Sequence, residues 1–321
     1  MNIIEIFRNH FGCGNSSNHD FTLVEYVSNI LIGVDSSERV CVVVRSSNPR
    51  RFPIKHKTQK MSIECNMKVR YGLNGELYDE TVHIIRCLSE IQREKHLFLE
   101  LATVLIQESD GSEEAIMETF NTLRTFFNDK KELSDNELIG LYAELYTIYT
   151  FHESLEIEKY WQSRDRMKFD FSFSEKVKLE VKATVRNTRT HHFRHEQLMT
   201  EVYDIFVLSY LLRYDDEGLS LFDLLMTCKD FLSNDSRKML RINYVLKNVG
   251  EERLKQMRFN TDYTEANRHF YRATDIPKFN QNTPHGVANA EYDCVLDNVA
   301  FIDDSMFIGI VNSGAQEVQN V

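Results

Sequence analysis

The chain has 321 residues, of which 42% are hydrophobic and 27% charged, a composition typical of a globular protein large enough for several domains. Its formal net charge of −11 argues against a protein that coats nucleic acid through bulk positive charge. The cysteines are scattered without a Cys-x-x-Cys pair, and no apolar run approaches the roughly 20 residues that cross a bilayer, so we expect a cytoplasmic protein without a zinc site or a membrane partner.

The N-terminal region, residues 1–110, is predicted to be rich in β-structure. β-Branched or alternating stretches predict strands, and turn residues separate them. Apolar residues that recur every three or four positions then predict two helices. The predicted strands are 40–44, 61–69 and 81–88, and the predicted helices are 92–108 and 112–128.

A further helix is predicted at residues 135–151. Ser134 and Glu137 have the Ser-x-x-Glu spacing of a capping box, which marks a helix N-terminus. Glu144 falls at the edge of the apolar stripe of this helix. A buried carboxylate in that position needs a partner or a metal, whereas a Glu at the border of the stripe can also extend into solvent. The pattern leaves both interpretations of Glu144 open.

Residues 169–184 alternate between apolar and polar side chains and predict two short antiparallel strands. A three-residue turn at 174–176 keeps the two apolar faces together, because a shift of one residue would turn a whole strand over. This register places Asp170 opposite Glu180, with Cβ atoms about 4.5–5.5 Å apart.

Two carboxylates that face each other destabilise a sheet unless something neutralises them. Lys182 follows Glu180 on the same face, and the two acids offer hard oxygen ligands suited to Mg²⁺, with Mn²⁺ as an alternative metal. A metal there would polarise a phosphoryl oxygen and activate a water, which is the chemistry of phosphodiester hydrolysis. The alternative is an exposed sheet face on which neighbouring lysines form salt bridges with the acids.

A basic stretch follows the hairpin and supplies candidate DNA contacts. Residues 186–195 contain arginines and histidines but no acid. Such a stretch contacts phosphates when it lines a groove, and otherwise it is a solvated loop. The spacing of His191 and His195 also fits one face of a helix that binds a metal. The candidate DNA-binding residues are Arg186, Arg189, His192 and Arg194.

The rest of the chain alternates predicted helices and strands. A helix is predicted at 195–203 and a buried strand at 204–212. The basic helix predicted at 235–248 contacts either DNA or only solvent. We divide this part of the chain into a central region, residues 111–215, and a C-terminal α+β region, residues 216–321. Further predicted elements are a helix at 219–233 and a small sheet of 266–274, 288–296 and 306–311.

The central region resembles the PD-(D/E)xK superfamily of restriction-endonuclease-like nucleases, and more narrowly the bacterial PD-(D/E)xK motif proteins of restriction and phage-defence gene clusters. The resemblance is close over residues 134–212, although Phe169 stands where the motif has its proline. The matching segments are GLYAEL at 140–145, Trp161, FDF at 169–171, LEVKAT at 179–184, HEQL at 195–198 and YRATDIPKF at 271–279.

The resemblance implies a catalytic site in the central region. Asp170 and Glu180 would be the metal ligands, and Lys182 would be the catalytic lysine. Glu144 would be an accessory acid. Gln197 would be an active-site glutamine, although a polar residue at a helix N-terminus is an equal alternative for it.

The fold implied by the resemblance is α/β (α+β), with a restriction-endonuclease-like core of helix, mixed sheet and helix between the two flanking regions. Its first strand would lie at 155–163. The implied activity is that of a Mg²⁺-dependent DNA endonuclease, a type II-like restriction enzyme that can act as a homodimer. The alternative is a catalytically silent DNA-binding or scaffolding subunit that needs an ATPase or a DNA methyltransferase as partner, since the chain has no Gly-x₄-Gly-Lys-Ser/Thr phosphate loop.

Overall fold

The computed structural model describes most of the chain, and its contacts divide the chain into two compact units. The first unit comprises Met1–Lys130 with Asn234–Asn243, and the second comprises Lys131–Ser233 with Tyr244–Val321. The three-part division of the sequence remains a prediction. The described residues are 3–6, 20–27, 29–47, 49, 52–73, 76–107, 109–128, 132–162, 169–232, 235–279 and 290–319.

The first unit is built on a six-stranded sheet. Its strands are β1 (Phe21–Val27), β2 (Ile30–Asp35), β3 (Val40–Arg45), β4 (Ile54–Lys57), β5 (Met61–Leu73) and β6 (Glu76–Cys87). The strand order is β1-β2-β3-β6-β5-β4, and consecutive neighbours in this order are antiparallel. The strands predicted at 40–44, 61–69 and 81–88 are therefore confirmed.

Strand β1 also pairs in parallel with β5 through Thr22 and Gly72, and this contact closes five of the strands into a ring. The ring is tight at Gly33 in β2. A Cβ atom at that position would lie 2.0 Å from the carbonyl oxygen of Thr22, so only glycine fits there. The predicted helices are confirmed as α1 (Gln92–Gln107) and α2 (Glu113–Asn128), which pack on β3 and β5.

The second unit combines helices with a mixed sheet. Its elements are α3 (Asp135–Leu155), a 3₁₀ turn (Ile157–Tyr160), β7 (Phe171–Ser172), β8 (Val177–Thr184), β9 (Thr190–Arg194), a second 3₁₀ turn (His195–Gln197), β10 (Asp204–Leu211), β11 (Tyr214–Ser220), α4 (Leu221–Phe231), α5 (Ser236–Val249), which is shared with the first unit, α6 (Glu251–Gln256), β12 (Arg258–Phe259), α7 (Thr261–Ala266), β13 (Arg268–Arg272), β14 (Glu291–Val295) and α8 (Asp304–Gln319).

Helix α3 begins at the predicted capping box. The Glu137 backbone N–H donates to Ser134 Oγ at 3.3 Å, and the Ser134 N–H donates to the Glu137 carboxylate at 2.8 Å. One side of α3 packs on β8, because apolar residues at helical spacing such as Leu141, Leu145 and Ile148 are buried there. The predicted helix at 135–151 is therefore confirmed and extends one further turn.

The main sheet of this unit has the order β13-β10-β8-β7. Strands β8 and β10 are parallel, and the other two pairings are antiparallel. Every residue of β10 after Asp204 is buried, as expected for a strand covered on both faces. Strands β9 and β14 form a separate antiparallel pair, and so do β11 and β12.

Two predictions near the site are wrong. Residues 195–203 form only the 3₁₀ turn at His195–Gln197, because β9 continues directly into it and leaves no room for a helical first turn. Residues 155–163 do not form a regular strand: they contain a 3₁₀ turn, and Trp161 makes one antiparallel bridge with Phe171. Residue 163 lies outside the described residues.

The predicted second small sheet is also wrong as a unit. Within 266–274, β13 joins the main sheet beside β10, whereas the described part of 288–296 forms β14 and pairs with β9. Residues 306–311 lie inside α8, since a short apolar run is compatible with a helix as well as a strand. Residues 288 and 289 lie outside the described part. Among the described residues, every helix is too short or too polar to span a bilayer.

Candidate active site

The hairpin formed by β7 and β8 has the predicted register. Phe171 pairs with Leu179, and Ser172 pairs with Lys178, so the next residue before the ladder, Asp170, lies opposite Glu180. The side chain of Asp170 is also held in place, because its Oδ2 atom accepts a hydrogen bond of 2.7 Å from the backbone N–H of Val181. The two carboxylates are thus placed on the same face at one end of the hairpin.

Glu180 is 4% exposed, and its two carboxylate oxygens have different surroundings. Its Oε1 atom accepts from Lys182 Nζ at 2.7 Å and from Gln197 Nε2 at 2.6 Å. Its Oε2 atom is buried and has no hydrogen-bond partner among the described residues. Strand alternation brings Lys182 to Glu180, and the 3₁₀ turn after β9 brings Gln197 to the same atom.

Glu144 enters this cluster from helix α3, where it is buried. The indole N–H of Trp161 donates to Glu144 Oε2 at 2.7 Å. Trp161 lies in the segment that runs beside Asp170, since the backbone N–H of Gln162 donates to the Asp170 carbonyl oxygen at 2.8 Å. The sequence indicated Glu144, and the structure buries it rather than extending it into solvent.

The carboxyl groups of this cluster affect one another's protonation. Burial of the Asp170 carboxyl group raises its pKa well above the usual range. The negative charges of Glu180 and Glu144 raise this pKa further. Burial likewise raises the pKa of Glu180, while Lys182 and Gln197 act in the opposite direction. Because Glu144 acts on both groups, the three acids share one electrostatic environment.

The oxygen donors of this cluster fit a hard divalent cation. Among the described residues, no three His, Cys, Asp or Glu side chains converge as a complete metal cage. Mg²⁺ does not need one, because it often binds one or two carboxylates and keeps several waters. Asp170 and Glu180 provide such a pair, and the buried Oε2 atom of Glu180 lacks the partner that a cation would supply.

Lys182 is held at the cluster by two neighbours. Its Nζ atom donates to Glu180, and it lies 5.1 Å from the centre of the Phe193 ring, within the range of a cation–π contact. Phe193 lies on β9 and is fully buried. The ammonium group is therefore confined to the side of the cluster that faces Glu180.

Arg189, a predicted DNA contact, is placed by the structure in the interior of the second unit. It is 4% exposed, and its guanidinium donates to the carbonyl oxygen of Ser209 at 3.0 Å, to the Ser209 hydroxyl at 2.9 Å and to the carbonyl oxygen of Asn267. Contact with DNA would leave these buried acceptors unpaired. Arg189 instead ties the start of the β9 segment to β10.

The other predicted DNA-binding residues are exposed, but acids of β14 face two of them. The ring nitrogens of His192 lie 2.9 Å from Asp293 and 3.2 Å from Glu291, and Arg194 Nε lies 3.4 Å from Glu291. Arg186 is exposed in the turn after β8. Contact of Arg186, His192 and Arg194 with DNA stays a prediction.

The alternative of a helical His191–His195 metal site is wrong, because His191 lies inside strand β9 and His195 begins the 3₁₀ turn that follows it. His191 is buried and shares a hydrogen bond of 2.7 Å with the Ser209 hydroxyl, and burial lowers its pKa to about 3. His195 Nδ1 lies 3.1 Å from the Tyr292 hydroxyl. Each histidine is used for packing and hydrogen bonding within the second unit.

The sequence did not identify the contact of Trp161 with Glu144, nor strand β9 itself. A signal for β9 was present: positions 189, 191, 193 and 195 are all buried, which is the two-residue period of a strand. Arginine and histidine occupy most of those positions, so the alternation of hydrophobicity that marks a strand was hidden.

In a comparison with family models, residues 16–297 match the family described as "Putative PD-(D/E)XK family member, (DUF4420)". No curated protein and no solved structure matched the chain. The family match covers most of the chain and agrees with the mixed α+β fold described above. The chain therefore belongs to this PD-(D/E)XK family.

Proposed function

We propose that this protein is a Mg²⁺-dependent DNA endonuclease that hydrolyses phosphodiester bonds, in a restriction-modification or phage-defence system. The observation that carries the proposal is the buried carboxylate of Glu180, which has one oxygen held by Lys182 and Gln197 and the other without a hydrogen-bond partner among the described residues. A buried acceptor left in this way costs about 1–3 kcal/mol of folding stability. Such a cost is typical of a site that is completed by a ligand.

Asp170 and Glu180 would hold the metal, which when bound would polarise a phosphoryl oxygen and lower the pKa of a water. The backbone N–H of Val181 keeps the Asp170 carboxylate in place, and Gln197 does the same for Glu180. Both carboxylates are thus oriented before any ligand binds, which reduces the rearrangement that binding requires.

Lys182 would act on the water or on the phosphate. Its Nζ atom donates to Glu180 Oε1, and an ammonium group has two further N–H donors. From there the ammonium can hold the attacking water in line, or stabilise the negative charge that develops on the phosphate. The Phe193 ring limits the positions that Nζ can adopt.

Incubation of the purified chain with methylated and unmethylated plasmid, in Mg²⁺, in Mn²⁺ or in EDTA, tests this proposal. We expect metal-dependent nicking or linearisation by the natural protein and none by Asp170→Asn or Glu180→Gln, which keep the side-chain shape and remove the charge. Cleavage that survives in both variants, or in EDTA, would contradict it.

A second candidate is a catalytically silent DNA-binding or scaffolding subunit. The observation that favours it is the pairing of His192 and Arg194 with the acids of β14, because these pairs compete with DNA phosphates for the basic side chains. The net charge of −11 also disfavours binding to DNA. Such a subunit would cut DNA only with an ATPase or a methyltransferase present. Cleavage by the isolated chain rules it out.

A further inference from the structure

Trp161, a residue to which the proposed function gives no role, is hydrogen-bonded to the Glu144 carboxylate at the candidate site. Trp161 is 2% exposed, and its indole N–H donates to Glu144 Oε2 at 2.7 Å. A buried indole N–H usually has a partner, but a backbone carbonyl or a hydroxyl would satisfy it equally well. Here the partner is an acid that shares its electrostatic environment with Asp170 and Glu180.

The same segment is joined to the other side of the site. Trp161 forms a bridge with Phe171, and the adjacent Gln162 donates its backbone N–H to the Asp170 carbonyl oxygen at 2.8 Å. The segment is therefore fixed to the strand that carries one acid, while its indole is fixed to another acid on helix α3. Trp161 therefore links the helix that carries Glu144 to the segment that is bonded to the hairpin.

The geometry points to Trp161 as a positioning residue that fixes the Glu144 carboxylate relative to Asp170 and Glu180 at the metal position. This inference rests on the proposed function. Glu144 has several rotatable bonds, and one charge-assisted hydrogen bond from a rigid donor selects a narrow set of its rotamers. Groups that orient the ligands of a metal typically change its affinity 10-fold to 100-fold when they are removed.

Trp161→Phe is the variant that tests the inference, because it keeps a buried aromatic ring and removes the N–H donor together with the smaller ring of the indole. The measurement is calorimetric titration of Mg²⁺ into the full chain without DNA. We expect the Kd for Mg²⁺ to rise about 10-fold. Far-UV circular dichroism and a thermal melt establish that the variant is folded.

A double-mutant cycle separates positioning from packing. If Trp161 acts through Glu144, the variants Trp161→Phe, Glu144→Gln and their combination should be non-additive, and the double variant should bind Mg²⁺ no more weakly than Glu144→Gln alone. The matched control is Tyr210→Phe, which removes a buried hydroxyl that lies 3.1 Å from Thr147 on the same helix α3. It should leave the Kd for Mg²⁺ unchanged.

Trp161 also provides a direct signal, since it is the only tryptophan in the chain. Its emission reports on the group bonded to its indole N–H, so Mg²⁺ should change the intrinsic fluorescence of the natural protein with the calorimetric Kd. The emission of Glu144→Gln should respond less at saturating Mg²⁺.

An unchanged Kd in Trp161→Phe, or additive effects in the cycle, would overturn the inference and leave the nuclease proposal standing. A 10-fold weaker Kd in a chain that cleaves no DNA would support the inference and contradict the nuclease proposal. A natural chain that binds no Mg²⁺ would overturn both.

Discussion

Two regions of the second unit are rich in charge: strand β9, and the hairpin end that carries Asp170, Glu180 and Lys182. They differ in how many of their charged groups have partners within the fold. Directly before β9, Arg189 donates to buried acceptors, and the exposed basic residues of β9 face acids of β14. On β8, Glu180 keeps a buried oxygen without a hydrogen-bond partner among the described residues. The comparison teaches that a charged stretch has to be judged by whether its charged atoms already have partners within the fold.

The largest expected effect is a loss of cleavage activity at Lys182, in the hairpin region. Lys182→Ala should reduce Mg²⁺-dependent cleavage about 100-fold or more, because it removes the ammonium that holds a proton beside Glu180. Lys178→Ala is the matched control: it lies on the same strand and face, but its Nζ bonds to the Ser172 hydroxyl and the Ser174 carbonyl. Initial rates of plasmid nicking measure both. Equal losses would show that the effect is structural.

The next effect concerns stability rather than activity. Arg189→Met should lower the free energy of unfolding by about 2–4 kcal/mol, because it leaves buried acceptors on β10 and at Asn267 unpaired. Arg186→Met, at an exposed position in the same stretch, should change it by less than about 0.5 kcal/mol. Urea denaturation compares the two. A stable Arg189→Met that loses only DNA affinity would restore Arg189 as a DNA contact.

A pH effect distinguishes two adjacent histidines on β9. Burial lowers the pKa of His191 from 6.5 to about 3, so between these values the unfolded chain binds a proton there that the folded chain does not. Stability should therefore fall as the pH is lowered through this window, with a slope approaching about 1.4 kcal/mol per pH unit for this group. Burial lowers the pKa of His269 to about 4, so a similar but smaller term remains without His191.

The test is urea denaturation at several pH values for His191→Gln and His192→Gln. His191→Gln should flatten the acid slope. Hydrogen bonds to Asp293 and Glu291 raise the pKa of His192, so its contribution is present at acid pH and is lost as the pH rises through that pKa. His192→Gln should therefore lose stability only at acid pH. Identical pH profiles for the two variants would contradict the difference in their environments.

The smallest effect tests whether the acids of β14 weaken the basic stretch. Glu291→Gln with Asp293→Asn should raise the affinity for DNA a few-fold, because it releases His192 and Arg194 from pairs worth about 0.2–1 kcal/mol each.

The control for that effect removes the same amount of charge elsewhere in the second unit, with Asp216→Asn and Glu217→Gln on β11, which are exposed. Fluorescence anisotropy with a labelled duplex at fixed salt measures both. An equal gain in the two double variants would attribute it to net charge alone.

Local rules account for the parts of the second unit that the sequence predicted. The capping box at Ser134 and Glu137 is a local hydrogen-bond pattern, and the register that places Asp170 opposite Glu180 follows from the alternation of apolar residues in the hairpin. Both depend on residues close together in sequence, so the sequence contains the information that fixes them.

The parts that were missed depend on residues far apart in sequence. Strand β9 is formed by pairing with β14, about 100 residues further along, and the polar residues buried on its inner side and just before it require partners on β10. The same applies to Trp161, whose donor finds Glu144 only once the helix is packed on the sheet. Periodicity reports hydrophobic faces, but it does not report which polar groups will meet.

The measurement that tests the central claim most directly is calorimetric titration of Mg²⁺ into the natural chain, Asp170→Asn and Glu180→Gln in the absence of DNA. We predict that the natural chain binds Mg²⁺ and that each variant loses most of this affinity while remaining folded. Equal affinity in all three proteins, or no binding by the natural chain, would contradict the claim that these two carboxylates are held together to bind a metal.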